Sequence, residues 1–135
     1  MNCGHALISA LVVLCFTMGC GAKSDYLNVE GKVFYHDKPL ANGTVVFQPA
    51  DGPPSVAKTT DDGTFKIEPI DRMKGARIGL NKVRISARTQ LTNGESEAAL
   101  GRLITPERYA TFESSGLTAD VKPDGNEPFV FRLTD

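Results

Sequence analysis

From residue 26 onward, apolar and polar positions alternate along most of the chain. In LNVEGKVFY (27–35), Leu27, Val29, Val33 and Tyr35 fall on one face, and Asn28, Glu30 and Lys32 on the other. TFKIE (64–68) sets Phe65 and Ile67 against Thr64, Lys66 and Glu68, and KVRISAR (82–88) sets Val83, Ile85 and Ala87 against Lys82, Arg84, Ser86 and Arg88. The same period recurs in LTADVK (117–122), through Leu117, Ala119 and Val121, and in FVFRLT (129–134), through Phe129, Phe131 and Leu133. Side chains on a strand alternate between faces, so this period predicts strands with one buried and one wet face. GTVVFQ (43–48) and SVAKTT (55–60) are shorter runs lying between turn signals, where strands are also expected.

The breaks between runs carry turn chemistry. HDKPL (36–40) and Asn42-Gly43 precede the second run, and Asp62-Gly63 joins SVAKTT to TFKIE as a hairpin signal. Pro53-Pro54 and Pro123-Asp124-Gly125 are further breakers. The expectation is an all-β fold, an antiparallel β-sandwich of about seven strands over residues 27–135. One helical signal interrupts it. Thr105-Pro106-Glu107-Arg108 offers an N-cap residue, proline in the first turn and an acid at the positive end of the dipole, predicting a turn or two before Tyr109. The polar stretch TQLTNGESEAALG (89–101) has no period and reads as an exposed loop.

The first 22 residues differ in kind: none is Lys, Arg, Asp or Glu, whereas the remainder holds all 15 basic and all 16 acidic residues. Residues 6–18 (ALISALVVLCFTM) are apolar except for Ser9 and Thr17. A helix crossing hydrocarbon needs about 20 such residues and a signal-peptide core about 7–15, so length favours an export signal. The n-region, MNCGH, has only its α-amino group and His5 to offer as positive charge.

The end of this segment resembles a bacterial lipobox, with Gly19-Cys20 supplying the small residue and the cysteine, and Thr17 standing where an aliphatic residue is usual. The resemblance implies a diacylglyceryl thioether on Cys20, cleavage before it and a further acyl chain on the freed amine. Each buried CH₂ contributes about 0.8 kcal/mol, and stable anchoring takes more than one chain. Cys3 and Cys15 would leave with the signal, so Cys20 would be the one mature cysteine, and an anchor accounts for it. Ordinary signal-peptidase cleavage after Gly19 or Ala22, or an uncleaved anchor, are the alternatives. The expected organisation is a signal peptide over 1–19, a lipidated N-terminus and short linker over 20–26, and the sandwich over 27–135.

Composition narrows the partners. With 41% hydrophobic and 23% charged residues and a net charge of −1, the chain is one ordinary globular domain. The near balance offers no basic face for nucleic acid.

VEGKVFYHDKPLANGTVVFQP followed by TTDDGTFKI resembles the carboxypeptidase regulatory-like and transthyretin-like sandwich domains, with their "G-x-V … D-x-x-P-L-x-x-G-x-V-x-F" opening and "T-x-x-D-G-x-F" hairpin. GARIGLNKVRI and LITPERYATFESSGLTADV resemble the small transthyretin-like lipoproteins of planctomycete bacteria, with a "P-x-x-Y … S-G-L-T-x-x-V" segment. The likeness spans residues 29–133. Asn81 departs from it, standing where an aromatic residue often precedes the "K-V-x-I" strand. The resemblance implies a seven-stranded transthyretin-like or immunoglobulin-like sandwich and a cell-envelope setting, and it implies no activity.

Residue chemistry points the same way. His36, beside Asp37 at a turn, is the one histidine after Cys20, so neither a zinc set nor a Ser-His-Asp or Cys-His arrangement can be assembled there. Some transthyretin-like proteins hydrolyse a purine-derived ring with His, Arg and a C-terminal Tyr-Arg-Gly-Ser; this chain ends FRLTD, and the activity is not carried over. Asp61-Asp62-Gly63 lacks the alternating acids and distal Glu of a calcium loop and reads as a hairpin turn. An internal Lys–Asn amide would need Lys32 on the first strand and an Asn on the last, but Asn126 precedes that strand. Asn42-Gly43-Thr44 matches a glycosylation sequon and reads as turn chemistry. With no Trp, the rings available for a contact surface are few. Tyr35 shares the core face, Phe34 falls on the polar face of the first strand, and Tyr109 follows the helical signal.

The expectation is therefore a non-enzymatic, extracytoplasmic lipoprotein of the outer membrane or cell surface. Its domain binds or scaffolds an envelope protein or glycan and uses neither metal nor cofactor. The alternative is a secreted or anchored carbohydrate- or peptide-binding module to which Phe34 or Tyr109 contributes a ring.

Overall fold

The computed structural model describes residues 24–70, 73–91 and 101–135. Cys20, the expected signal segment and most of the 89–101 stretch lie outside the described residues. Seven strands carry the architecture: β1 (Val29–Tyr35), β2 (Gly43–Pro49), β3 (Ser55–Lys58), β4 (Thr64–Ile67), β5 (Gly79–Ala87), β6 (Leu117–Val121) and β7 (Phe129–Leu133). They form two hydrogen-bonded layers, β6-β5-β2-β3 and β7-β1-β4. Val33, Val45, Phe47, Phe65, Val83, Ile85, Val121 and Leu133, each on the apolar parity of its strand, fill the space between the layers.

The centre of that core is aromatic. Phe47 reaches from the first layer to three rings of the second, with centroid separations of 6.0 Å to Phe65, 5.7 Å to Phe129 and 6.2 Å to Phe131. All three contacts are edge-on, which sets the positive rim of one ring against the negative face of another.

Two connections differ from the pattern expected of hairpins. The Asp62-Gly63 turn does not join paired strands: β3 pairs with β2 in one layer, whereas β4 pairs with β1 in the other. The turn is a corner between layers, closed by Gly63 N–H to Thr60 O and Thr60 N–H to Thr64 O, both 2.9 Å. The last strand is also not antiparallel to its neighbour. β7 runs parallel to β1, with Phe129 opposite Gly31 and Leu133 opposite Tyr35, while the other strand pairs of the two layers are antiparallel. A parallel pair needs a long crossover rather than a tight turn, and here the whole domain between residues 36 and 128 supplies it.

That pairing sets the polarity of the molecule. β1 and β7 both begin at the end where Tyr26–Leu27 pairs with Ala76–Arg77, and both finish at the opposite end. The far end is closed by a two-residue turn, His36-Asp37, between Tyr35 and the Lys38–Pro39 segment that pairs back onto β1. Both turn residues have left-handed φ, +48° and +61°, as a two-residue hairpin of the primed type requires.

The helical signal after Thr105 yields a single 3-10 turn, Glu107–Ala110. Thr105 does not cap it: its hydroxyl instead accepts the Ala87 N–H at 3.2 Å. Ser115 Oγ donates to Val83 O, and Leu117 N–H donates to Ser115 Oγ at 3.2 Å. These two hydroxyls fasten both ends of the 105–115 excursion to β5, and the excursion in turn delivers Arg108 and Tyr109 to the far end of the sandwich.

Candidate functional site

The far end gathers side chains from three separated stretches of chain. Tyr35, at the end of β1, donates its hydroxyl to Asp135 Oδ1 at 2.8 Å. His36 Nε2 lies 3.1 Å from Asp135 Oδ2, and His36 N–H donates to Leu133 O at 3.2 Å. The imidazole leans on the Tyr35 ring at a centroid separation of 4.3 Å. Both carboxylate oxygens of Asp135 are thus engaged, one by a phenol and one by an imidazole.

The electrostatics follow from those contacts. The Tyr35 hydroxyl bond holds the Asp135 carboxyl below its usual range, with burial opposing and the His36 and Arg108 charges helping. The same bond pushes the Tyr35 phenol up, because ionising it would set two negative oxygens against each other.

Arg108 completes the cluster. Its Nη2 donates to Tyr109 Oη and to Thr134 O, each at 2.7 Å, and lies 3.2 Å from Thr134 Oγ1. Thr134 N–H donates to Tyr109 Oη at 3.2 Å. Burial pushes the Tyr109 phenol up, but the Thr134 and Arg108 donors outweigh it and bring it below the ordinary value. The guanidinium also lies over the Tyr109 ring, 4.6 Å from its centroid. On the outer face of β1, Arg132 covers the Phe34 ring at 4.6 Å and bonds Asp37 Oδ1 at 3.3 Å, while the Lys32 ammonium sits 5.4 Å from the same ring.

The two rings expected at a contact surface therefore have different fates. Tyr109 is a correction: it is buried at 6% exposure, part of the core, with only its hydroxyl edge reaching the cluster. An aromatic ring on a short turn above the open side of a sandwich gains more from filling that side than from standing in water. Phe34 does lie on the outer face of β1, half-buried beneath two cations.

Other sequence candidates separate cleanly. His36 is a turn residue with a half-exposed side chain, and among the described residues no hydroxyl nucleophile is bonded to its imidazole. Asp62 accepts from the Thr60 hydroxyl and from Thr64 N–H, turn contacts that bring its carboxyl down to about 2. Among the described residues no group of three or more His, Cys, Asp or Glu could hold a metal ion. Lys32 points away from the core, and Asn126 caps its own turn through Lys122, so the two do not meet. Among the described residues no helix is long and apolar enough to cross a membrane.

Sequence reasoning missed Arg108, Arg132 and Asp135 as members of one cluster. Residues 132–135 meet residues 34–37 through the parallel pairing and Arg108 reaches Thr134 on the 105–115 excursion, and neither leaves a periodic trace. A tail in which FVF gives way to Arg-Leu-Thr-Asp was the one visible signal.

The chain matches no protein-family model, no curated protein and no solved structure.

Proposed function

We propose that this chain is a cell-envelope lipoprotein, held to a membrane through Cys20, whose transthyretin-like sandwich binds or scaffolds another envelope component without catalysing a reaction. The observation that carries the reading is the placing of the apolar-to-charged boundary. Cys20 falls six residues before the first strand pairing at Tyr26, so the tether spans at most about 20 Å when fully extended. The resemblance of residues 29–133 to envelope lipoproteins supports the same setting.

In that setting the fold has a direction. β1 leaves the tethered end and runs for seven residues, about 23 Å, before reaching His36. The ionic cluster of Tyr35, His36, Arg108 and Asp135 then faces away from the membrane, where a partner arrives. The alternative module with an aromatic platform draws less support, since Tyr109 is in the core and the Phe34 ring is covered by Arg132 and Lys32.

Two measurements test the reading. Labelled palmitate is expected to enter the wild-type protein and not Cys20→Ser; equal labelling of both, or labelling of neither, overturns the anchor. Copurification after crosslinking is expected to recover a defined envelope partner, and charge reversal at Arg108 is expected to lose it. Recovery unchanged by that reversal removes the far end as the contact surface.

A further inference from the structure

A second surface near the same end carries a more specific chemistry. On the outer face of the first layer, the register places Lys58 opposite Thr44 and Thr44 opposite Ser86, a row across β3, β2 and β5. Asn42 and Arg88 continue that face just past the strand ends, and the group lines a recess of 330 Å³. That volume lies at the lower end of small-ligand sites.

The lining is one-sided in its chemistry. Among the described residues it contains two cations, hydroxyls and side-chain amides, with no carboxylate and no aromatic ring. The ion pairs among the described residues engage neither Lys58 nor Arg88. Among the described residues Arg88 is oriented by a bond from Nη1 to Gly101 O at 2.9 Å. Thr89 Oγ1 accepts Arg102 N–H at 2.9 Å, which aligns the rim beside it. A neutral sugar on a sheet face is ordinarily held by stacking on a ring, and none lines this recess among the described residues. Two cations with no counter-charge among the described residues instead favour an oxyanion, and the surrounding hydroxyls and amides suit a polyhydroxylated frame.

We propose that this recess binds an acidic saccharide. Lys58 and Arg88 clasp its anionic group, and Thr44, Ser86 and Asn42 hydrogen-bond the adjoining hydroxyls. The proposal deepens the binding reading above by naming a surface and a ligand class, and its chemistry does not depend on the Cys20 anchor.

Calorimetry on the detergent-solubilised full chain tests it, with trigalacturonate, maltotriose and inorganic phosphate as probes. Trigalacturonate is expected to bind with a Kd of about 1 mM or tighter at low salt and to weaken as salt rises. Maltotriose is expected not to bind, and phosphate to bind more weakly than the trisaccharide. Lys58→Ala, an exposed change, is expected to weaken trigalacturonate about tenfold with the thermal midpoint unchanged, and Arg88→Lys to weaken it less. No heat with trigalacturonate, equal binding of maltotriose or unchanged affinity in Lys58→Ala overturns the site; phosphate binding as tightly as the trisaccharide overturns the saccharide. Palmitate labelling and partner recovery report on the anchor and the scaffold separately, so failure here is distinguishable from failure there.

Discussion

Tyr35 and Asp135 stand 100 residues apart in the chain and share a 2.8 Å hydrogen bond at the far end of the sandwich. The bond exists because β7 lies parallel to β1, with Leu133 beside Tyr35, so that the chain after each strand emerges at the same place. One pairing therefore produces both the closing of the core and the cluster of His36, Arg108 and Asp135 beyond it.

The pairing depends on Gly31. A Cβ built there would lie 2.3 Å from Phe129 O and 2.7 Å from the Phe65 ring. Gly31→Ala is expected to cost about 3 kcal/mol, the upper end of overpacking penalties, read as a lower urea midpoint. A Phe65→Leu background is expected to recover little, because the nearer obstacle is backbone. A midpoint within error of wild type would show that β7 can shift without loss.

Asn81 is fully buried, with Nδ2 donating to Arg77 O and Gly79 O at 2.9 Å each and Oδ1 without a partner among the described residues. Turning the amide over would set its oxygen against two carbonyls, so the orientation is fixed by charge. Asn81→Ala is expected to cost about 2–4 kcal/mol through two unpaired carbonyls and a cavity. Asn81→Leu is expected to cost less, since it fills the space that alanine leaves empty while both variants leave the same two carbonyls unpaired. Thermal unfolding of the two variants side by side decides it, and equal losses would sink the argument.

Tyr109 and Arg108 act as a pair. Tyr109→Phe removes the acceptor shared by Arg108 and the Thr134 amide and is expected to cost about 1 kcal/mol. Arg108→Ala is expected to be destabilising too. The double variant is expected to cost clearly less than the sum, since either change breaks the same bond. Strict additivity in a thermal double-mutant cycle would contradict the contact.

Acid stability should report on Asp62. Its carboxyl is brought to about 2, chiefly by the Thr60 hydroxyl and then by Thr64, against an unfolded value of about 3.9. A depressed folded value contributes stability that is whole above about pH 5 and is lost as pH falls toward about 2. The midpoint difference between wild type and Asp62→Asn is therefore expected to stay flat from neutral pH to about pH 5 and to shrink below it. Parallel pH curves throughout would contradict the assignment. Asp135 contributes in the same direction through Tyr35.

Five of the seven strands and their buried faces could be read from alternation alone, because period two is a property of the extended backbone and needs no partner, whereas GTVVFQ and SVAKTT were placed by the turn signals around them. Asn81 was legible in the same way: it shares parity with Val83, Ile85 and Ala87, and its burial follows from extending that run by two residues. Tyr109 was not legible. A ring after a short helical signal can face water or core, and the open side of the sandwich it fills is built from distant strands.

The chain's own order of residues thus determined which segments extend, which side of most of them is apolar, where turns fall and where an apolar N-terminal stretch gives way to a charged chain. The tertiary structure alone decided which strands share a layer, that Asp62-Gly63 is a corner between layers, and that β7 runs beside β1 in the same direction. The reason is physical. Local periodicity is set by backbone geometry residue by residue, whereas strand partners are chosen by how the whole set of apolar faces closes around Phe47. The cluster at the far end and the recess at Lys58 and Arg88 are consequences of that choice.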